Sequence, residues 1–170
     1  FIQNYKCWNN MEILINELEV IGFYFSDHPL NYYPKVFFDL QKIDNFKNIL
    51  SNNELNTAKL CGAILDIKER SNKDGRKYAF LTISDKEIQY ELTIFSENLY
   101  KYRPILKEGN ILIFHIDIIR KNLDSRYIVK QVMSLEQEFS KQKIKFSIYS
   151  SIDNIIKVKD QVFEKKDIKK

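Results

Sequence analysis

Apolar and polar positions recur every three or four residues before residue 51 and alternate from residue 58 onward. Within 11–21, Met11, Leu14, Ile15, Leu18 and Ile21 mark one face of an amphipathic helix. Asn10 is placed to cap its start and Gly22 to stop it. Pro29 and Pro34 forbid a helix through the next stretch. A short second helix is expected over 44–50, then a polar break over 51–57. The alternating part divides into strands at 58–70, with Gly62 as a bend, and at 77–84, 88–95, 111–121 and 126–136. "SNKDGR" (71–76), with its Asp74-Gly75 pair, is the first turn, and a helical segment opened by Ser96 fills 96–107.

The order β-β-β-α-β-β, with a long bent first strand, is the plan of the five-stranded oligonucleotide/oligosaccharide-binding (OB) barrel. The expected fold class is therefore mainly β with α. A helical, ring-rich connector (1–57) precedes an OB domain (58–135), and a partial α/β tail (136–170) follows. In that tail "IKFSIYSS" reads as a strand and "IDNIIKVKDQVFEKK" as a helix. Alternation also sorts the faces. Ala79, Leu81 and Ile83 line the barrel and leave Tyr78 and Phe80 outside. Ile88, Tyr90, Leu92 and Ile94 point inward, leaving Gln89, Glu91, Thr93 and Phe95 outside.

With 170 residues, 44% of them hydrophobic, the chain suits one small domain with appendages. No run of eighteen apolar residues predicts a membrane span, and no charged-then-apolar leader predicts secretion. Cys7 and Cys61 lie far apart and outside any CxxC, which fits a reducing cytoplasm better than a disulfide or zinc framework. The chain starts at Phe1 rather than methionine, so it is expected to be a piece of a longer protein. Net charge is +4, which permits an anionic partner without requiring one.

The placement of charge is more telling than the total. Residues 58–135 hold 14 Lys/Arg against 10 Asp/Glu, and eight of those cations flank two loops. Lys68, Arg70, Lys73, Arg76 and Lys77 bracket the link between strands one and two. Arg120, Lys121 and Arg126 bracket the link between strands four and five. In OB barrels these loops border the face that binds single strands. The outward rings Tyr78 and Phe80, with Phe95 as a further candidate, are placed to stack on bases while the cations track phosphates. Such contacts read no base edges, so little sequence specificity is expected. His28 and His115 have no partner spacing for a metal site or a triad, and no HExxH, GxSxG or P-loop lysine is present. His28 is expected to cap backbone groups in a turn.

Seven rings (Phe23, Tyr24, Phe25, Tyr32, Tyr33, Phe37, Phe38) crowd into "GFYFSDHPLNYYPKVFF". They read better as a packed joint than as a stacking surface. "IGFYFSDHPL", followed by "AKLCGAILDIKERSNKDGRKYAFLTISDKEIQYELTIFSENLYKY" and "LKEGNILIFHIDI", resembles the C-terminal region of the bacterial DNA polymerase III alpha subunit over about residues 8–135. The family pattern is approximately GFYLSGHPL, then an OB domain with K-x-G-x-x-M/Y-A-F-V-T-L-E-D. Asp27 replaces the family's usual glycine, Ser84-Asp85 its Glu-Asp, and Glu87 another glycine. The resemblance implies a parent DNA-directed DNA polymerase that uses deoxynucleoside triphosphates and Mg2+. Its catalytic aspartates and its sliding-clamp-binding segment lie upstream, so no catalytic residue or cofactor is expected here. It further implies an OB domain near the single-stranded template, contacts with other domains of the same polymerase, and a last domain contacting the clamp-loader tau subunit. Two other readings stay open on the residues alone: an OB module that docks protein, or the anticodon-binding OB domain of an aminoacyl-tRNA synthetase.

Overall fold

A computed structural model describes residues 8–52, 54–121 and 124–141, apart from the side chains of Lys121 and Asp124. The strand and helix expected within 144–166 lie outside these residues. Five strands, β1 (Thr57–Ser71), β2 (Lys77–Ser84), β3 (Gln89–Phe95), β4 (Ile111–Lys121) and β5 (Asp124–Ser134), close into a barrel in the order β1-β2-β3-β5-β4. This is the OB order. All neighbours are antiparallel except β3 and β5, which pair in parallel through Thr93 and Ile128.

Period-two alternation fills the interior. Leu60, Ile64, Ala79, Leu81, Ile83, Tyr90, Leu92, Ile94, Phe114, Ile116 and Val129 form one buried cluster. Burying each large side chain contributes roughly 1.5–3 kcal/mol. β1 passes from its β4 partner to its β2 partner at Ala63, next to Gly62, and carries a bulge between Ile64 and Asp66. Gly62 also serves close approach: a Cβ there would clash with Ile83 Cγ2 and lie 2.7 Å from the Ser84 carbonyl oxygen.

The segment before β1 holds α1 (Asn10–Ile21), a 3-10 turn (Pro29–Tyr32), α2 (Lys35–Leu40) and α3 (Phe46–Ser51). The cap of α1 is Asn9, one residue earlier than expected, because Glu12 at its third position completes a reciprocal capping box with it. Gly22 ends the helix with φ 78°. The 3-10 turn and α2 come in addition to the expected elements, and α3 is the helix expected over 44–50, one to two residues later. Its cap is Asn45, whose side chain accepts the Lys47 N–H at 2.8 Å. Phe46 of α3 stacks on Tyr90 at 4.1 Å and closes the barrel end where β3 and β5 begin. At the other end α4 (Ser96–Tyr102) buries Leu99.

Outside the barrel, β1 is buried on both faces up to Leu65 and becomes exposed from Lys68. The reason is a second cluster. Cys61 on β1 pairs with Ile113 on β4, which pairs with Met133 on β5. Leu30 and Phe37 cover this row together with Leu135 and Phe139 of α5 (Leu135–Lys141). Phe37 and Tyr33 meet the Phe139 ring edge-on at 5.2 and 5.4 Å. The ring-rich stretch is thus a joint in part. Phe37 is buried and Tyr33 and Phe38 are half-buried, but Phe23, Phe25 and Tyr32 are exposed.

Candidate nucleic-acid interface

The connector and α5 cover the β1-β4-β5 side of the barrel and leave the β1-β2-β3 side open. Strand register arranges that open side in rows. Arg70, Tyr78 and Phe95 form one row, Lys68, Phe80 and Thr93 the next, and Asp66, Thr82 and Glu91 a third. Directly opposed residues share a face, so the β1 cations Lys68 and Arg70 lie beside the β2 and β3 rings Phe80, Tyr78 and Phe95. The Tyr78 and Phe80 rings meet edge-to-face at 5.5 Å and are half-buried. Phe95 is 50% exposed, which leaves ring surface open to a stacking partner.

A groove of about 1590 Å³ runs from β2 over β3 to β5, with Phe46 of α3 in its lining, beyond the roughly 300–1,000 Å³ of small-molecule sites. Asn72, Arg76 and Lys77 line one end, Tyr78, Phe80, Thr93 and Phe95 the middle, and Ser125 and Arg126 the other end. The two basic loops therefore stand at opposite ends of the β2–β3 ladder yet border one groove. The β1–β2 turn is held in shape locally. The Asn72 side-chain oxygen accepts the N–H groups of Asp74 and Arg76 at 3.0 and 2.8 Å, and Gly75 takes φ 75°. Arg76, Lys77 and Arg126 are exposed and make no ion pair with any described residue.

The remaining sequence candidates fall elsewhere. Arg70 and Lys68 flank the groove on β1, Lys68 paired with Asp66 at 3.0 Å. Lys73 is exposed in the β1–β2 turn, off the groove lining. Lys121 closes β4, and its side chain lies outside the described part. Arg120 serves the fold instead. On β4 it shares the inward parity of Ile118, and its guanidinium donates to the carbonyls of Leu55, Ile49 (3.3 Å) and Asn52 (2.9 Å). It thereby ties α3 and its following loop to the barrel end. Glu91, Thr93, Ser125 and Asn72 join the lining in addition to the expected site residues; the outward parity of 89–95 is the sequence signal for Glu91 and Thr93.

His28 stands at the start of the 3-10 turn, as expected. It caps the 3-10 turn, its Nδ1 accepting the Leu30 N–H at 3.2 Å, with Tyr24 edge-on at 5.3 Å. Burial holds its pKa below the ordinary 6.5. Among the described residues no three His, Cys, Asp or Glu side chains are placed to hold a metal ion, and no helix is long and apolar enough to cross a membrane.

No protein-family model matches the chain. Among curated proteins it is 28% identical to DNA polymerase III subunit alpha of Buchnera aphidicola, across 88% of this chain and 14% of that one. It is 30% identical to the same subunit of Rickettsia bellii (81% and 12%) and of Halalkalibacterium halodurans (85% and 13%). Among solved structures, a mitochondrial single-stranded DNA binding protein of S. cerevisiae superposes with TM-score 0.42 at 14% identity, covering 48% of this chain and 96% of that one. That score is too low to add to what the strand order shows. The chain spans about an eighth of the length of the curated relatives it matches. Over most of its own length it is similar to one segment of the DNA polymerase III alpha subunit.

Proposed function

We propose that this chain is a piece of a replicative DNA polymerase alpha subunit, and that residues 58–135 are a non-catalytic module holding single-stranded template DNA. One observation carries the reading: the exposed Phe95 ring and the half-buried Phe80 and Tyr78 rings lie in a single groove whose two ends hold cations that make no ion pair with any described residue. Phe95 and Phe80, assisted by Tyr78, stack on bases, and Arg76, Lys77 and Arg126 track phosphates, with Lys68 and Arg70 beside them. Residues 1–57 join the module to the preceding domain and 136–170 begin the next. The apolar residues that α1 and its following turn expose (Met11, Ile15, Val20, Phe25) are where other domains of the polymerase sit. The whole enzyme would use Mg2+, work in the cytoplasm, and meet the sliding clamp and the clamp-loader tau subunit through other segments.

Fluorescence anisotropy of a labelled, unstructured single strand, compared with its duplex, tests this. At low salt the single strand should bind tighter. Phe95→Ala and Phe80→Ala should each weaken binding by roughly 5- to 150-fold, the equivalent of about 1–3 kcal/mol per stacked base. Absence of binding at low salt by the folded protein overturns the reading.

A further inference from the structure

Part of the groove carries the wrong charge for a phosphate track. Glu91 lies exposed on the outer face of β3, lines the groove, and makes no ion pair with any described residue. Its row, Asp66, Thr82 and Glu91, is the one next to Lys68, Phe80 and Thr93. Thr93 pairs with Ile128 across the β3–β5 seam, and Glu91 and Arg126 each lie two residues before their member of that pair. Both of these side chains line the groove.

A carboxylate repels phosphate, so a strand lying here keeps its backbone on the cationic ends and turns its bases toward Glu91. An ionised carboxylate only accepts hydrogen bonds. Cytosine offers it an amino group. Thymine and uracil offer one ring N–H flanked by two carbonyl oxygens, each of which a carboxylate repels. We infer that Glu91 reads base edges, favouring bases with an exocyclic amino group over thymine or uracil. The groove is then not blind to sequence, contrary to what stacking and phosphate contacts alone imply. This inference rests on the single-strand reading proposed above.

The test compares anisotropy of labelled oligo-dC and oligo-dU of equal length at slightly alkaline pH, where cytosine is unprotonated. These pyrimidines differ at the amino or carbonyl group and the adjacent ring nitrogen, without thymine's methyl group. Wild-type protein should bind oligo-dC about three- to tenfold tighter, the range of one selective hydrogen bond. Glu91→Gln, whose amide both donates and accepts, should bind both oligonucleotides more tightly and bring the ratio close to one. Equal wild-type affinities overturn the inference and leave the single-strand reading standing. So does a Glu91→Gln variant that gains equally for both, because the carboxylate then only repels phosphate. If neither oligonucleotide binds folded wild-type protein, both readings fall.

Discussion

Two arginines of one barrel do opposite work, and strand parity decides which does what. Arg120 points with Ile118 toward the barrel end and donates to three carbonyls, whereas Arg126 lines the groove and makes no ion pair with any described residue. Arg120→Ala strands those carbonyls and should lower stability by about 1–3 kcal/mol in urea denaturation. It should leave the salt dependence of oligonucleotide binding unchanged. Gly62 makes a comparable residue-level demand. An alanine methyl there meets the Ser84 carbonyl oxygen at 2.7 Å, and backbone gives way less readily than a side-chain tip. Gly62→Ala should destabilise by about 1–3 kcal/mol, read by the same denaturation midpoint. The sequence names both residues but not these roles, because the partner of Arg120 is a loop more than sixty residues away.

The connector elements are short and are held by packing against the barrel rather than by helix propensity. Phe37, fully buried between β1, β4 and α5, is the anchor. Phe37→Ala should cost about 3–5 kcal/mol, and hydrogen exchange should show the loss in α2 and α5 before the barrel strands. His28 adds a pH dependence. Asp27, Asp85, Lys86 and Tyr24 surround it, and burial sets its folded pKa below the 6.5 of the unfolded chain. The unfolded state therefore takes up the proton first. The His28 contribution is complete above 6.5 and is lost as pH falls toward the folded pKa. Thermal melting of wild type should decline through that window, above the carboxylate range. His28→Asn, which keeps a capping side chain, should remove the decline. A slope identical in both proteins would assign the pH dependence to another group.

Legibility in the sequence follows the same physics. The β2 and β4 bounds, 77–84 and 111–121, are met because their apolar-rich runs stop at polar residues, Asp85-Lys86 and Asn122. The 3-10 turn and α2 leave no signal in the sequence because helices of four and six residues, opened by Pro29 and by Pro34, are too short for a usable period. In β5 the apolar spacing runs past the strand, so its expected end at 136 falls inside α5, which packs Leu135 and Phe139 on the joint. Outward placement of Tyr78 and Phe80 could be read from alternation alone. That the cations at 68, 70 and 73 flank the groove while those at 76, 77 and 126 line it depends on barrel closure, which no local pattern encodes.

At the scale of the molecule, the Cys61–Ile113–Met133 row of the barrel packs against the connector and α5, and the groove over β2, β3 and β5 is the surface proposed for a single strand. Counterion release tests that division most directly. Log affinity for a single strand should fall linearly with log salt concentration, with a slope of about −0.7 per phosphate neutralised. Substituting Arg76, Lys77 and Arg126 together by alanine should make that slope shallower by about 2. Salt-independent binding by wild type, or a triple variant with an unaltered slope, contradicts the assignment of this wall to nucleic acid.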